Sequence, residues 1–151
     1  MKNKKVKKSG EEWELFSHKA DMGIRGIAPT FEKAFEQAGL ALTGVMIDPT
    51  QVHEVKHIKV TCRAPNRDAL FYDWINELVF QMSTLNMIFS HYKVTIFNEK
   101  NEFSLAGEAW GEKIDPKSHE IAVEVKGATF AELKTEETQD GRCLVQCVVD
   151  V

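Results

Sequence analysis

The sequence predicts an α+β domain in which two helices pack on a largely antiparallel β-sheet. Two segments place apolar residues at helical spacing. Seven other segments, each as long as a strand, either alternate apolar and polar residues or are continuously apolar. The chain has 151 residues, 43% hydrophobic and 28% charged, which is typical of a soluble domain with its own core. No apolar stretch approaches the roughly 18 residues of a membrane span. The first residues contain no signal-peptide-like segment, so we expect a cytoplasmic protein.

Capping residues indicate where both predicted helices begin. Thr30 is a good N-cap before an apolar stripe over residues 31–42, and this helix should end before residues 48–49, an Asp-Pro pair. Asn66 is the N-cap of a longer second helix, and we expect its apolar face over residues 70–82 to be central to the core. Strands are predicted at residues 13–16, 22–28, 55–63, 92–97, 103–110, 121–133 and 143–149, with turns at 98–101 and 139–141.

Positive charge is concentrated at the start of the chain. Residues 1–8 carry five lysines and no acid, so the rest carries 14 basic and 23 acidic residues, a net charge of −9 against −4 for the whole chain. We predict that residues 1–12 form a disordered lysine-rich tail and that residues 13–151 form a single domain. The tail is either an arm that contacts RNA or an acidic partner, or a solvated terminus. The acidic remainder repels nucleic acid unless it carries a local basic patch.

The sequence contains none of the common motifs for catalysis. It has no phosphate-binding glycine loop, dinucleotide fingerprint or nucleophile elbow. His53, His57, His91 and His119 do not have the spacing of a zinc site. Three cysteines without a CxxC pair indicate a reducing compartment. We therefore predict no catalytic residues and a protein that is not an enzyme.

The end of the sequence brings two carboxylates together. Asp150 is followed by Val151, whose α-carboxylate closes an apolar strand. Oxygen donors of this kind suit Ca²⁺ or Mg²⁺, although a solvated chain end with one exposed acid explains the same pattern. Asp21 is either another oxygen ligand or a turn residue that caps its own backbone. His18 is a supporting residue at most, through a structural hydrogen bond.

Lys126 is the remaining candidate, in the predicted strand at residues 121–133. In this strand Ile121, Val123 and Val125 should point one way, and Lys126 the other. Because Gly127 follows it, Lys126 can approach a phosphate or an acidic partner closely. The alternative is an exposed lysine paired with an acid nearby, such as Glu124, which is worth under ~1 kcal/mol.

Several segments together resemble the archease family over residues 13–151. They are residues 16–23 (FSHKADMG), 29–48, 70–78 (LFYDWINEL), 107–112 (GEAWGE), 123–130 (VEVKGATF) and 148–151 (VVDV). Lys19 stands where the family usually has threonine, and Phe130 where it usually has tyrosine. The lysine-rich start is not a family feature.

The resemblance implies an archease-like α+β fold and a non-catalytic role. Archeases activate RtcB-type RNA ligases, which join a 3′-phosphate or cyclic-phosphate RNA end to a 5′-hydroxyl in tRNA splicing and RNA repair. They promote guanylylation and multiple turnover of the ligase. By resemblance, Asp21, Asp150 and Val151 bind a divalent metal, which we expect to be calcium, and Lys126 serves partner activation or phosphate positioning. The chain would then meet RNA only indirectly, through the ligase.

Two other functions stay open at this point. Archease-like proteins have also been linked to tRNA methyltransferases, so a chaperone or specificity modulator of such an enzyme is the alternative. A divalent-metal-dependent enzyme would use the same carboxylates, but the sequence shows no positioned nucleophile or base for it.

Overall fold

The computed structural model describes residues 10–151, and within them the chain forms two α-helices, a short 3-10 helix at Pro49–Gln51 and eight strands. In chain order the main elements are β1 (Glu12–His18), β2 (Asp21–Ala28), α1 (Phe31–Met46), β3 (Lys56–Ala64), α2 (Arg67–Leu85), β4 (Met87–Glu99), β5 (Glu102–Lys113), β6 (Gly127–Ala128), β7 (Lys134–Glu137) and β8 (Cys143–Asp150).

The strands divide between two sheets. One sheet has the order β1-β2-β8-β6, with β7 also paired to β8, and the other has the order β3-β5-β4. Each pairing among the described strands is antiparallel. The predicted α+β class, with two helices on antiparallel strands, is confirmed. The strand β8 lies inside its sheet, between β2 on one side and the short strands β6 and β7 on the other.

Helix α1 lies between the two sheets, and glycines allow its close approach to both. As predicted, Thr30 caps the helix, with its hydroxyl oxygen accepting a backbone N–H at 3.2 Å. A Cβ at Gly26 of β2 would lie 2.1 Å from the Ala34 carbonyl oxygen. A Cβ at Gly39 would lie 2.8 Å from the ring of Tyr92 in β4. Helix α1 therefore covers one face of each sheet.

Helix α2 packs on the three-stranded sheet and reaches β6 and β7 of the other sheet. The predicted N-cap is confirmed, because Asn66 Oδ1 accepts the Ala69 N–H at 2.8 Å. The apolar face predicted over residues 70–82 is buried. Within it, the indole N–H of Trp74 donates to the Phe35 carbonyl oxygen at 3.1 Å, which ties α2 to α1 inside the core.

The strand predicted at residues 121–133 is wrong. Residues 121–126 are irregular, β6 contains only Gly127–Ala128, and β7 begins after the predicted strand ends. Val123, which should have pointed the same way as Ile121 and Val125, is 40% exposed, whereas Val125 is buried. The chain bends at Glu132, whose φ is 56°. Two short strands therefore share the edge of β8, where the apolar alternation predicts one long strand.

The predicted tail lies mostly outside the described residues, since these begin at residue 10. Glu12, the last residue of that predicted tail, is buried and begins β1. The three cysteines are free thiols. No helix within residues 10–151 combines the length and apolar character needed to cross a membrane.

Candidate functional site

His18 and Asp21 lie directly opposite each other at the turn between β1 and β2. Lys19 and Ala20 form this turn, and Lys19 has a φ of 53°, in the left-handed region. Side chains of residues that face each other across antiparallel strands lie on the same side of the sheet. His18 and Asp21 therefore share one face at one end of the five-stranded sheet.

Asp150 lies at the same end of that sheet, on the other side of Asp21. In the register of β2 with β8, Met22 faces Val149, and the next residues outward are Asp21 and Asp150. Neighbouring strands are separated by about 4.8 Å, so these carboxylates belong to adjacent positions. The sequence separation between them exceeds one hundred residues, and only the pairing of β2 with β8 brings them together.

Lys126 lies on the far side of Asp150. Its backbone N–H donates to the Asp150 carbonyl oxygen at 2.8 Å, and Gly127 faces Asp150 in the pairing of β6 with β8. The side chain of Asn76, from α2, accepts the Ala128 N–H at 2.9 Å and so ties this segment to the helix. The structure thus brings together, in order across the sheet, His18, Asp21, Asp150 and Lys126, a set that we call the carboxylate row.

Within the carboxylate row, Asp21, His18 and Asp150 lie on the face of the sheet that points away from α1. Gly26, and with it Ile24, faces the helix, so strand alternation turns Asp21 and Arg25 to the opposite side. Arg25 is already engaged there, because its Nε donates to Gln146 Oε1 at 2.8 Å and its Nη1 to Glu14 Oε1 at 3.0 Å. This arginine therefore does not neutralise the aspartates of the row.

The donors of the row fit a hard cation by their chemistry. Carboxylate oxygens are the ligands that Ca²⁺ and Mg²⁺ prefer, and among residues 10–151 no ion pair engages Asp21 or Asp150. No group of three or more His, Cys, Asp or Glu side chains in the described part of the chain is placed to hold a metal ion. The predicted ligand set contains two such side chains, and its third member is the carboxylate of Val151. Metal binding here stays a prediction.

Lys126 is exposed, and it forms no ion pair with Glu124 or another acid of the described residues. Its ammonium group is therefore available to a ligand or a partner. The alternative considered from the sequence, a lysine occupied by a neighbouring acid, is not what the structure shows.

The other histidines lie on the three-stranded sheet or beside it, and each has a glutamate partner. His57 and His91 face Trp110 across the sheet and stack on its indole, with ring centroids 5.2 and 4.5 Å from it. Glu112 accepts the His53 N–H at 2.7 Å and contacts His119 Nε2 at 3.0 Å. The hydrogen bond from the backbone N–H of His53 makes the largest contribution to lowering the pKa of the Glu112 carboxyl. These histidines form no part of the carboxylate row.

Sequence reasoning missed an aromatic surface beside the row. Tyr72 stacks on Phe130 with ring centroids 4.4 Å apart, and Phe130 is 72% exposed. Phe80, two helical turns beyond Tyr72 on α2, is also exposed. The available signal was the four-residue spacing of Tyr72, Asn76 and Phe80, which places them along one side of the helix.

Comparisons with known proteins agree with one another. The model of the Archease protein family (MTH1598/TM1083) matches residues 13–151. Protein archease of Pyrococcus furiosus is 35% identical over 140 residues, covering 93% of this chain and 99% of that protein. Protein archease of Sulfurisphaera tokodaii is 36% identical over 141 residues, with the same two coverages of 93% and 99%. The solution structure of Methanobacterium thermoautotrophicum protein 1598 superposes with a TM-score of 0.79 at 31% identity, covering 92% of this chain and 98% of that one.

Proposed function

Since this chain belongs to the archease family, we propose that it is a non-catalytic protein cofactor that activates an RtcB-type RNA ligase in tRNA splicing or RNA repair. The observation that carries the proposal is the carboxylate row, in which Asp150 lies between Asp21 and Lys126. An acidic chain also suits a partner whose own surface binds RNA and is therefore basic.

In this proposal each residue of the row has one task. Asp21, Asp150 and the Val151 carboxylate would bind one divalent cation, since their oxygen donors suit a hard ion, and by resemblance to the family we expect it to be calcium. The bound ion would offset the repulsion between the carboxylates and offer a positive charge to a phosphate oxygen. Lys126 contributes its ammonium to a nucleotide phosphate or to an acidic group of the ligase. His18 orients Asp21 from the neighbouring strand.

The substitution Asp150→Asn tests this role without changing the size of the side chain. We expect it to lower calcium affinity about tenfold or more, because a carboxylate ligand becomes a neutral amide. Stimulation of ligase guanylylation should fall with it. Calorimetry with calcium alone and a guanylylation assay with purified ligase and GTP provide the two measurements.

The matched control is Glu99→Gln, at the β4–β5 hairpin of the other sheet. This exposed carboxylate lies outside the carboxylate row, so its loss should leave both measurements unchanged. Full stimulation of the ligase by the Asp150→Asn protein would remove Asp150 from the mechanism.

The absence of intrinsic activity is tested with the chain alone. Incubated with GTP and RNA ends bearing a 3′-phosphate, it should produce no ligated RNA; turnover without ligase would make it an enzyme.

A pull-down from its own cytosol distinguishes the partners. Recovery of a tRNA methyltransferase in place of the ligase would favour the alternative role as a chaperone or specificity modulator.

A further inference from the structure

Phe80 forms a ridge between two grooves on the exposed side of α2. The side chain is 58% exposed, although phenylalanine is among the residues most often buried in a soluble domain. One groove, of about 400 Å³, contains Asp73 and Glu77; the other, of about 370 Å³, contains Glu124 and Lys126. Phe80 borders both grooves. We call this ridge with its two grooves the Phe80 surface.

The first groove is acidic, and no cation of the described residues compensates its charge. Among residues 10–151 no ion pair engages Asp73 or Glu77, and Glu77 accepts a hydrogen bond from Gln81 at 3.0 Å. Burial raises the pKa of Asp73, as expected for a carboxylate that has lost part of its hydration. The thiol of Cys62 lies in the same groove, and burial raises its pKa to about 12, with smaller contributions from Asp73 and Glu77. Burial thus favours the neutral thiol, and a cationic side chain would suit the carboxylates.

The second groove connects the Phe80 surface to the carboxylate row. Lys126 contributes its side chain to this groove, while its backbone N–H is bonded to Asp150. Two further apolar side chains near these residues in the chain are exposed: Phe130, which stacks on Tyr72, and Val151, which follows Asp150. A partner that covers Phe80 and fills this groove would therefore contact Lys126, the member of the row that the groove contains.

We propose that the Phe80 surface is where a basic protein docks, with Phe80 entering an apolar depression of that protein and an arginine or lysine entering the groove of Asp73 and Glu77. The inference rests on the proposed function in one respect: the basic protein is the RNA ligase. RNA is disfavoured as the occupant, because its phosphates would face the carboxylates. Exposed aromatic residues beside complementary charge are typical of the residues that dominate protein–protein affinity.

The test measures the dissociation constant between the full chain and purified RtcB-type ligase for two groove variants and two controls. The variants are Phe80→Ser and the double substitution Asp73→Asn with Glu77→Gln. The controls are Phe97→Ser, another exposed phenylalanine, and Glu99→Gln, both on β4. We expect each groove variant to weaken binding at least about tenfold and each control to stay within about twofold. Thermal unfolding of all four proteins verifies that they fold.

The outcomes separate this inference from the proposed function. If the wild-type chain stimulates the ligase but groove variants and controls bind it equally, the Phe80 surface is not the docking site and the activator role stands. If binding depends on Phe80 but no stimulation occurs, the docking site stands and the activator role falls. Binding of a single-stranded RNA, lost on Phe80→Ser in the absence of ligase, would overturn the protein partner.

Discussion

Tyr92 and Thr43 form a buried hydroxyl pair that joins α1 to β4. The Thr43 hydroxyl donates to the Phe89 carbonyl oxygen at 2.7 Å and lies 2.7 Å from the Tyr92 hydroxyl, which can donate to it. Both side chains are buried, so neither hydroxyl has water as an alternative partner. Burial raises the pKa of Tyr92, because the phenolate would lose its hydration in the core.

Substituting this tyrosine should change how stability depends on pH. In the unfolded chain a tyrosine loses its proton near pH 10, whereas the folded protein retains it at higher pH. The contribution of the neutral Tyr92 side chain to the free energy of unfolding is therefore complete at pH values below the pKa of tyrosine in the unfolded chain. This contribution declines as the pH rises above about 10. We expect Tyr92→Phe to cost about 0.5–1.5 kcal/mol at pH 7 through the lost hydrogen bond and to flatten the alkaline decline.

Urea unfolding at pH 7 and again near pH 10.5 measures both effects of Tyr92→Phe. Lysines and the other tyrosine also contribute to the loss of stability at alkaline pH. Because wild type and Tyr92→Phe both contain them, their contributions cancel when the two proteins are compared. If the free energy of unfolding fell by the same amount between the two pH values in wild type and in Tyr92→Phe, the folded protein would not retain the Tyr92 proton as proposed.

Among the elements, β8 determines where the carboxylate row lies. Its pairing with β2 places Asp150 next to Asp21, and its pairing with β6 places it next to Lys126. β6 has only two residues, so ladder hydrogen bonds alone hold Lys126 weakly. Asn76 reinforces this segment from α2 through the Ala128 N–H. A Cβ at Gly127 would lie 3.0 Å from Asn76 Oδ1, which explains the glycine.

Asn76→Ala should therefore loosen the segment that carries Lys126. We expect the Ala128 amide to exchange with solvent about tenfold faster, since its side-chain acceptor is lost. Asn76→Asp is the matched control, because a carboxylate oxygen still accepts the N–H. Hydrogen exchange followed by NMR measures this directly, and an unchanged Ala128 rate in the alanine variant would refute the positioning role of Asn76.

At the scale of the whole molecule, opposite charges are separated along the sequence. The first eight residues contribute five positive charges, and the rest of the chain has a net charge of −9. A basic partner is attracted by the negative charge of the rest of the chain and repelled by the lysines of residues 1–8. Removing residues 1–8 should therefore leave the affinity for the ligase unchanged or increase it. Binding to the ligase should also weaken as the salt concentration rises, because the Debye length, about 10 Å at 0.1 M, becomes shorter.

Titrations of the full-length and shortened chains at two ionic strengths test this expectation. Loss of ligase binding on removal of residues 1–8 would show that the lysines form an arm that contacts the partner. Binding that is insensitive to salt would contradict attraction between an acidic domain and a basic enzyme.

Much of the fold was predictable because helices follow local rules. Thr30 and Asn66 were expected as N-caps, and the apolar face over residues 70–82 was expected to be buried; all three predictions are confirmed. The segment over residues 121–133 was mispredicted because alternating apolar residues also occur in an irregular segment that packs intermittently. The Phe80 surface was not predicted, because the helical spacing of Tyr72 and Phe80 shows only that they share one side of α2, and whether another element covers that side depends on the tertiary packing.

The sequence by itself determined the family, the α+β class, both helices and the chemical types of the candidate ligands. Only the tertiary structure decided that Asp21, Asp150 and Lys126 are neighbours and that Phe80 shares a groove with Lys126. The physical reason is the range of the interactions. Caps and helical stripes depend on residues three or four apart, whereas the pairing of β2 with β8 joins segments more than a hundred residues apart, and its register is set by what the whole core buries.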